Sequence, residues 1–259
     1  MSDVNSLFQS AADEGELSPE ALGVLQVADV GAQIQNALGV DPDEFEASEV
    51  ILMTQMPDDS GSIRFAGNSQ VMRDGHNLVL ESLGGTKQAD AVLAMCRYLN
   101  GHVLYPYSPL AQAVRMDSNN YDPNHGTPLY DETVVLLGAV LAKAQEFADN
   151  GIVARTVTLI ISDGADVHSR RNTPTDVAKL VKDMLKQENH IVAAMGIDDG
   201  DTDFRQVFSE MGILDEWILT PGNSESEIRA AFQTVSQSAV RASQGGASFS
   251  QTAMGGFGS

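Results

Sequence analysis

Two aspartates and three hydroxyls stand at the ends of apolar runs in this 259-residue chain. Asp58, Ser60 and Ser62 lie in Asp58-Asp59-Ser60-Gly61-Ser62, just after the run Val50–Met56. Thr127 lies in Gly126-Thr127-Pro128, just before the apolar pattern of Pro128–Asn150. Asp163 lies in Ser162-Asp163-Gly164, just after Thr156–Ile161. Side chains offering only oxygen suit a hard cation, Mg2+, Mn2+ or Ca2+, and not zinc or copper. Two carboxylates and three hydroxyls neither fill nor neutralise an octahedral Mg2+ shell, so water completes it. Such a water exchanges, and a carboxylate from another molecule can replace it. Each stretch alone is commonplace. Asp-x-Ser-x-Ser is turn composition, Asp-Gly is a turn dipeptide, and Thr-Pro is a good helix start. The conjunction is informative only if the fold brings the three ends together.

The surrounding elements supply that condition. Val50–Met56 and Thr156–Ile161 are continuous apolar runs, expected as buried strands. Ala89–Tyr98 is expected as the next strand and Gly101–Tyr105 as its antiparallel partner. Helices are expected over Asn68–Leu83, Pro128–Asn150, Thr175–Glu188, Asp203–Met211 and Ser226–Ala242, and strands over His190–Ile197 and Glu216–Thr220. In the longest helix, Val134, Leu137, Val140, Leu141, Ala144 and Phe147 form one apolar face. This alternation predicts an α/β fold with a doubly wound, mostly parallel central sheet flanked by helices. Ligands of such sheets bind beyond the carboxyl ends of the strands, where the three stretches fall. Ser18-Pro19-Glu20 opens an extra N-terminal helix that Gly39 closes. The expected organisation is an acidic N-terminal segment with one helix (1–48), its first 17 residues mobile, then a domain over 49–242. A Gly/Ser-rich tail over 243–259, too poor in apolar residues to offset its ordering entropy, is expected to be flexible.

At this point the chain resembles the von Willebrand factor type A (vWA) family, over about Glu49 to Ser243. Asp58-Asp59-Ser60-Gly61-Ser62 is similar to that family's metal-ion-dependent adhesion site (MIDAS) signature. Gly126-Thr127-Pro128-Leu129-Tyr130 resembles its threonine loop and Ser162-Asp163-Gly164 its third loop. The resemblance implies a vWA/Rossmann-like sheet in which Ser60, Ser62 and Thr127 meet Mg2+ (or Mn2+ or Ca2+) through their hydroxyls. It implies that Asp58 and Asp163 act partly through bound water. It also implies a non-enzyme that binds a protein partner supplying a carboxylate. Ile63 and Arg64 follow Ser62 where some members place further acids, so no second metal is expected. Bacterial, archaeal and phage-type intracellular members suggest a partner among the MoxR-type AAA+ ATPases, or a place with the tellurite-resistance proteins.

Composition narrows the rest. There are 36 acidic and 15 basic residues, a net charge of −21, and residues 1–63 hold 13 acids and no Lys or Arg. A chain this acidic repels nucleic-acid backbones and anionic membrane surfaces. Apolar runs are far short of a membrane span, no secretory signal is visible, and the single cysteine, Cys96, fits a reducing compartment, so a cytoplasmic protein is expected. Cys96 reads as an inert core residue. The five histidines show no ligand spacing, although His125 and His168 fall in loops near the three stretches. A hydrolase using Asp58 as nucleophile is disfavoured by the lack of a P-loop or a Gly-x-Ser-x-Gly elbow. A structural or virion assembly component is the other alternative. Asp58 is read as a loop residue outside the core, so Asp58→Ala is expected to abolish partner binding and leave the fold intact.

Overall fold

The computed structural model describes residues 3–45, 47–244 and 255–257. Its elements follow in order as α1 (Val4–Asp13), α2 (Pro19–Leu25), α3 (Ala28–Gln35), β1 (Glu49–Met56), α4 (Gly61–Phe65), α5 (Ser69–Gly84), β2 (Val92–Arg97) and β3 (Val103–Pro109). Then come α6 (Leu129–Asp149), β4 (Val153–Ser162), α7 (Pro174–Gln187), β5 (His190–Gly196), α8 (Phe204–Glu210), β6 (Ile218–Leu219) and α9 (Glu225–Gln244). The strands form one sheet in the order β3-β2-β1-β4-β5-β6. All pairs are parallel except β2 with β3. The doubly wound α/β expectation therefore holds, including the antiparallel edge.

The apolar runs become strands because helices cover both faces of the sheet. β1 is buried from Val50 to Met56, and β2 and β5 are buried throughout. The chain order reverses at β1, which pairs with β2 on one side and β4 on the other. This is the switch point where doubly wound sheets open a crevice. The β1–β4 register pairs Met56 with Ile160. Extended by two residues, it sets Asp58 beside Ser162 and one step from Asp163.

The N-terminal segment differs from expectation. Of the first 17 residues, read as a mobile leader, 4–13 form α1, with Val4, Leu7, Phe8 and Ala11 buried. These four recur at helical spacing and make one apolar face. The single helix expected from Ser18 to Leu38 is two, because Gln26 leaves the helical region and Val27 is extended. Ser18 does cap α2, accepting the N–H of Ala21. Together α1, α2 and α3 lie on α6 and α7, and α6 is buried on every side from Asp131 to Phe147. A Cβ at Gly138 would stand 2.6 Å from the Ile34 side chain of α3 and 2.8 Å from the Leu25 side chain of α2, so glycine here gives both side chains room to seat against α6. Lys143, wholly buried, bonds Glu146 at 2.7 Å and the carbonyl of Val40.

The expected flexible tail falls largely outside the described residues. Ser243 and Gln244 continue α9. Phe257 packs edge-on against Trp217, with ring centres 5.3 Å apart, and donates its N–H to the Glu216 carbonyl at 2.9 Å. Arg241 bonds the carbonyl of Gly256 at 2.6 Å.

At the opposite end of the sheet from the crevice, His190 is fully buried. Gln187 Oε1 can only accept, so His190 Nε2–H donates to it at 2.7 Å, and the Thr156 hydroxyl donates to Nδ1 at 2.7 Å. Burial pushes the imidazole down to about 3. The unfolded chain takes up this proton near pH 6.5 and the folded chain does not, so stability falls as pH drops below 6.5. At about 1.4 kcal/mol per pH unit, the wild type is expected to lose about 2 kcal/mol more than His190→Gln between pH 6.5 and 5. Urea unfolding of both proteins at the two pH values checks this. Equal losses would mean that His190 is protonated in the folded state.

Candidate metal-binding site

β1 delivers its last polar residues into the crevice beside the end of β4. Asp58 is fully buried there. Its Oδ1 accepts the N–H of Ser60 at 2.7 Å, and its Oδ2 accepts the Ser162 hydroxyl at 2.8 Å and the N–H of Asp163 at 3.3 Å. Its main-chain carbonyl accepts the Tyr121 hydroxyl. Asp58 thus ties the two strand ends together. This corrects its reading as a loop residue outside the core. Asp58→Ala would leave the N–H groups of Ser60 and Asp163 without this acceptor and turn the Ser162 hydroxyl to the Gly164 carbonyl, so it is a poor test of binding alone.

Ser60 and Ser62 rise from the start of α4. Their hydroxyls are 2.8 Å apart, and Asp163 Oδ1 accepts from Ser60 at 3.2 Å and from Ser62 at 2.7 Å. Three oxygens from two loops therefore make a triangle with edges of 2.7–3.2 Å. Ligands at the 2.0–2.1 Å of an octahedral Mg2+ shell have neighbouring oxygens about 2.8–3.0 Å apart. The triangle has the size of one face of that octahedron.

The electrostatics agree. Burial raises the Asp58 carboxyl above its ordinary range. Burial, with Asp58 nearby, pushes Asp163 up to about 6. No Lys or Arg among the described residues is ion-paired with either. Desolvated negative charge without a cation is costly, and a divalent ion would relieve it. Among the described residues no three His, Cys, Asp or Glu side chains are grouped to hold a metal, so an ion here would depend on hydroxyls.

Thr127 is placed differently. It is buried on the loop before α6, and a Cβ at Gly164 would lie 3.9 Å from its hydroxyl. Its hydroxyl is hydrogen-bonded to none of the other four residues, so the structure joins Asp58, Ser60, Ser62 and Asp163 and sets Thr127 alongside. What holds it there was not visible in the motif. His168 Nδ1 accepts the N–H of Thr127 at 2.9 Å. The His168 ring occupies the space where a Cβ at Gly126 would stand, 2.7 Å away, so this glycine admits the ring. Asp166 accepts from the N–H of Tyr130 and Ser169 from that of Asp131. In return the Asp131 carboxylate accepts the N–H groups of Arg170, Arg171 and Asn172. The start of α6 and the loop after β4 thus cap each other. Asp131 is legible as a first-turn acid, but its partners are 39–41 residues away.

Asp59 was also missed as a separate element. It is buried, and its carbonyl accepts the N–H groups of Asn124 and His125. Ser60 and His125 pair as an isolated bridge, which fastens the loop 117–126 beside the triangle. Cys96 is buried in β2 and its thiol is pushed up by burial, as an inert core residue requires.

No protein-family model matches the chain, and no curated protein matches it. Solved structures do. The pilus adhesin SpaC from Lactobacillus rhamnosus GG aligns with a TM-score of 0.55 at 12% identity, over 76% of this chain and 31% of the adhesin. The VWA domain of SpRpn10 aligns with a TM-score of 0.49 at 10% identity, over 72% of this chain and 95% of that domain. Proximal thread matrix protein 1 from the mussel byssus, solved with a zinc-occupied MIDAS motif, aligns with a TM-score of 0.48 at 16% identity. That alignment covers 73% of this chain and 48% of the byssus protein. The chain thus spans about a third of the adhesin and half of the byssus protein. No helix among the described residues is long and apolar enough to cross a membrane.

Proposed function

We propose that this vWA-like domain is a metal-ion-dependent protein-interaction module. Ser60, Ser62 and Thr127 would hold a divalent ion, Mg2+ foremost, with Asp58 and Asp163 neutralising it. The ion would supply an open position for a carboxylate of the partner. The observation that carries the reading is the oxygen triangle of Ser60, Ser62 and Asp163. Two exposed apolar side chains belong to the segments that carry it. Phe65 ends α4 at 84% exposure, and Val167 follows the Asp163 loop at 69%. Large apolar side chains left in water beside a polar site are what a docking partner covers.

The reading is of a binder and not a catalyst. Asp58, the one candidate nucleophile, has both carboxylate oxygens engaged and no exposure. A buried lone cysteine accords with the reducing cytoplasm, where the family resemblance points to an AAA+ ATPase of the MoxR type as partner.

The test is a Mn2+ titration followed by capture from lysate. Wild type is expected to bind one Mn2+ per chain and to retain a partner in Mg2+ but not in EDTA, while Ser62→Ala does neither. Ser62 is exposed and its hydroxyl is the only group lost, so that variant keeps the fold. Retention of the same partner in EDTA would overturn the reading, as would metal-independent self-assembly as the only association seen.

A further inference from the structure

The oxygen triangle has a neighbour with a different chemistry. A cleft of about 440 Å3 opens on the other side of the Ser60–His125 bridge, between the loop 117–126 and the end of β2. That is the size of a small-ligand site. Asp59, Asn100, Asp122, Asn124 and His125 line it. Asp59 is only 2% exposed. Its Oδ1 accepts the N–H of Asn100 at 3.0 Å. Its Oδ2 accepts no hydrogen bond from the described residues, and no Lys or Arg among them is ion-paired with it; the imidazole of His125 lies with Nε2 3.9 Å away.

The charge on Asp59 has no structural use. An asparagine would accept the Asn100 N–H equally well, and the contacts to Asn124 and His125 use the main-chain carbonyl. A desolvated carboxylate oxygen facing a cleft calls for a charged donor. The rim already holds one. Arg64 donates to Asn124 Oδ1 at 2.7 Å and lies 3.9 Å from Asp122. That guanidinium stays at the mouth and does not ion-pair with Asp59.

We propose that this cleft takes a cationic side chain, the guanidinium or ammonium of an arginine or lysine, with Asp59 Oδ2 as its acceptor. This rests on the proposed function for the source of the side chain. The partner's carboxylate would reach the ion, and a basic residue close by in the partner would enter the cleft. Recognition would then require both signs of charge in one short surface stretch. An acidic protein could in this way select one acidic partner among many.

The probe is N-acetyl-arginine amide, titrated into 15N-labelled protein in EDTA and in Mg2+, with N-acetyl-norleucine amide, and CaCl2 added to the probe-bound protein without EDTA, as the other arms. The expected result is saturable shifts at the amides of Asn100, Asn124 and His125, absent with norleucine amide. Asp59→Asn, which keeps the acceptor for Asn100, should weaken the arginine probe at least tenfold. Ser62→Ala should leave it unchanged, so failure of the ion site and failure of the cleft read out separately. Equal shifts with norleucine amide, indifference to Asp59→Asn, or displacement of the probe by Ca2+ would each overturn the proposal. If Asp59→Asn does not fold, guanidinium against tetramethylammonium competition on wild type decides, because only guanidinium can donate hydrogen bonds to Asp59.

Discussion

Glu132→Ala is expected to destabilise the protein by about 3–5 kcal/mol, the cost of leaving a buried charge without its partner. Arg97, at the end of β2, is among the largest side chains with no exposure. Its Nη2 meets Glu132 in the first turn of α6 and Gln33 of α3 at 3.1 Å. Its Nε and Nη1 have no partner. Burial already lowers the guanidinium, and Glu132 is what opposes that shift. For a chain of this size the loss corresponds to a fall in Tm of roughly 6–20 °C. Replacing both partners with apolar residues of similar volume, Arg97→Met with Glu132→Leu, should recover most of it, because the desolvation of both charges is then avoided. Thermal unfolding of the single and double variants tests this. A loss under 1 kcal/mol in Glu132→Ala would show that water reaches Arg97.

That pair also shows why the sequence is only partly legible. Arg97 ends an apolar run and Glu132 sits where helix starts favour acids, so each has an adequate local explanation. Their meeting depends on α6 crossing the end of β2, which no spacing reports. The strands were readable because β1, β4 and β5 are covered on both faces and so are apolar without alternation. The helix α1 was overlooked for the opposite reason. Val4, Leu7, Phe8 and Ala11 keep helical spacing, but the acids and amides between them suggested a solvated leader. What they bury against is the outer face of α6, and the sequence of α6 displays only its inner one.

The candidate site divides in the same way. Asp58, Ser60, Ser62 and Asp163 were found because each adjoins a strand end, and parallel register alone sets two such ends side by side. Thr127 was found through its loop, yet the residues that position it, His168 and Asp131, act across some 40 residues. Asp59 was hidden by its neighbour. In an Asp-Asp pair one carboxylate turns in and one is assumed to turn out, whereas here both are buried.

Asp58→Asn separates the fold from the proposed ion. Asparagine keeps Oδ1 as the acceptor for the Ser60 N–H, and its amide can donate to the Ser162 hydroxyl. Only the 3.3 Å contact to the Asp163 N–H is lost. In exchange, a negative charge is removed from a fully buried position that faces a second carboxylate across the crevice. In EDTA the variant is therefore expected to unfold at or above the wild-type Tm. In Mg2+ the order reverses. A ligand present at 100 times its Kd stabilises by about 2.7 kcal/mol, or roughly 5–11 °C here. Wild type should gain this and Asp58→Asn should gain almost nothing. The contrast comes from one oxygen becoming nitrogen, a change too small to disturb packing. An equal rise in both proteins would place the ion elsewhere, and no rise in either would remove it from the function. A variant less stable than wild type in EDTA by several kcal/mol would instead make Asp58 a structural carboxylate, held for the hydrogen bonds that join β1 to β4.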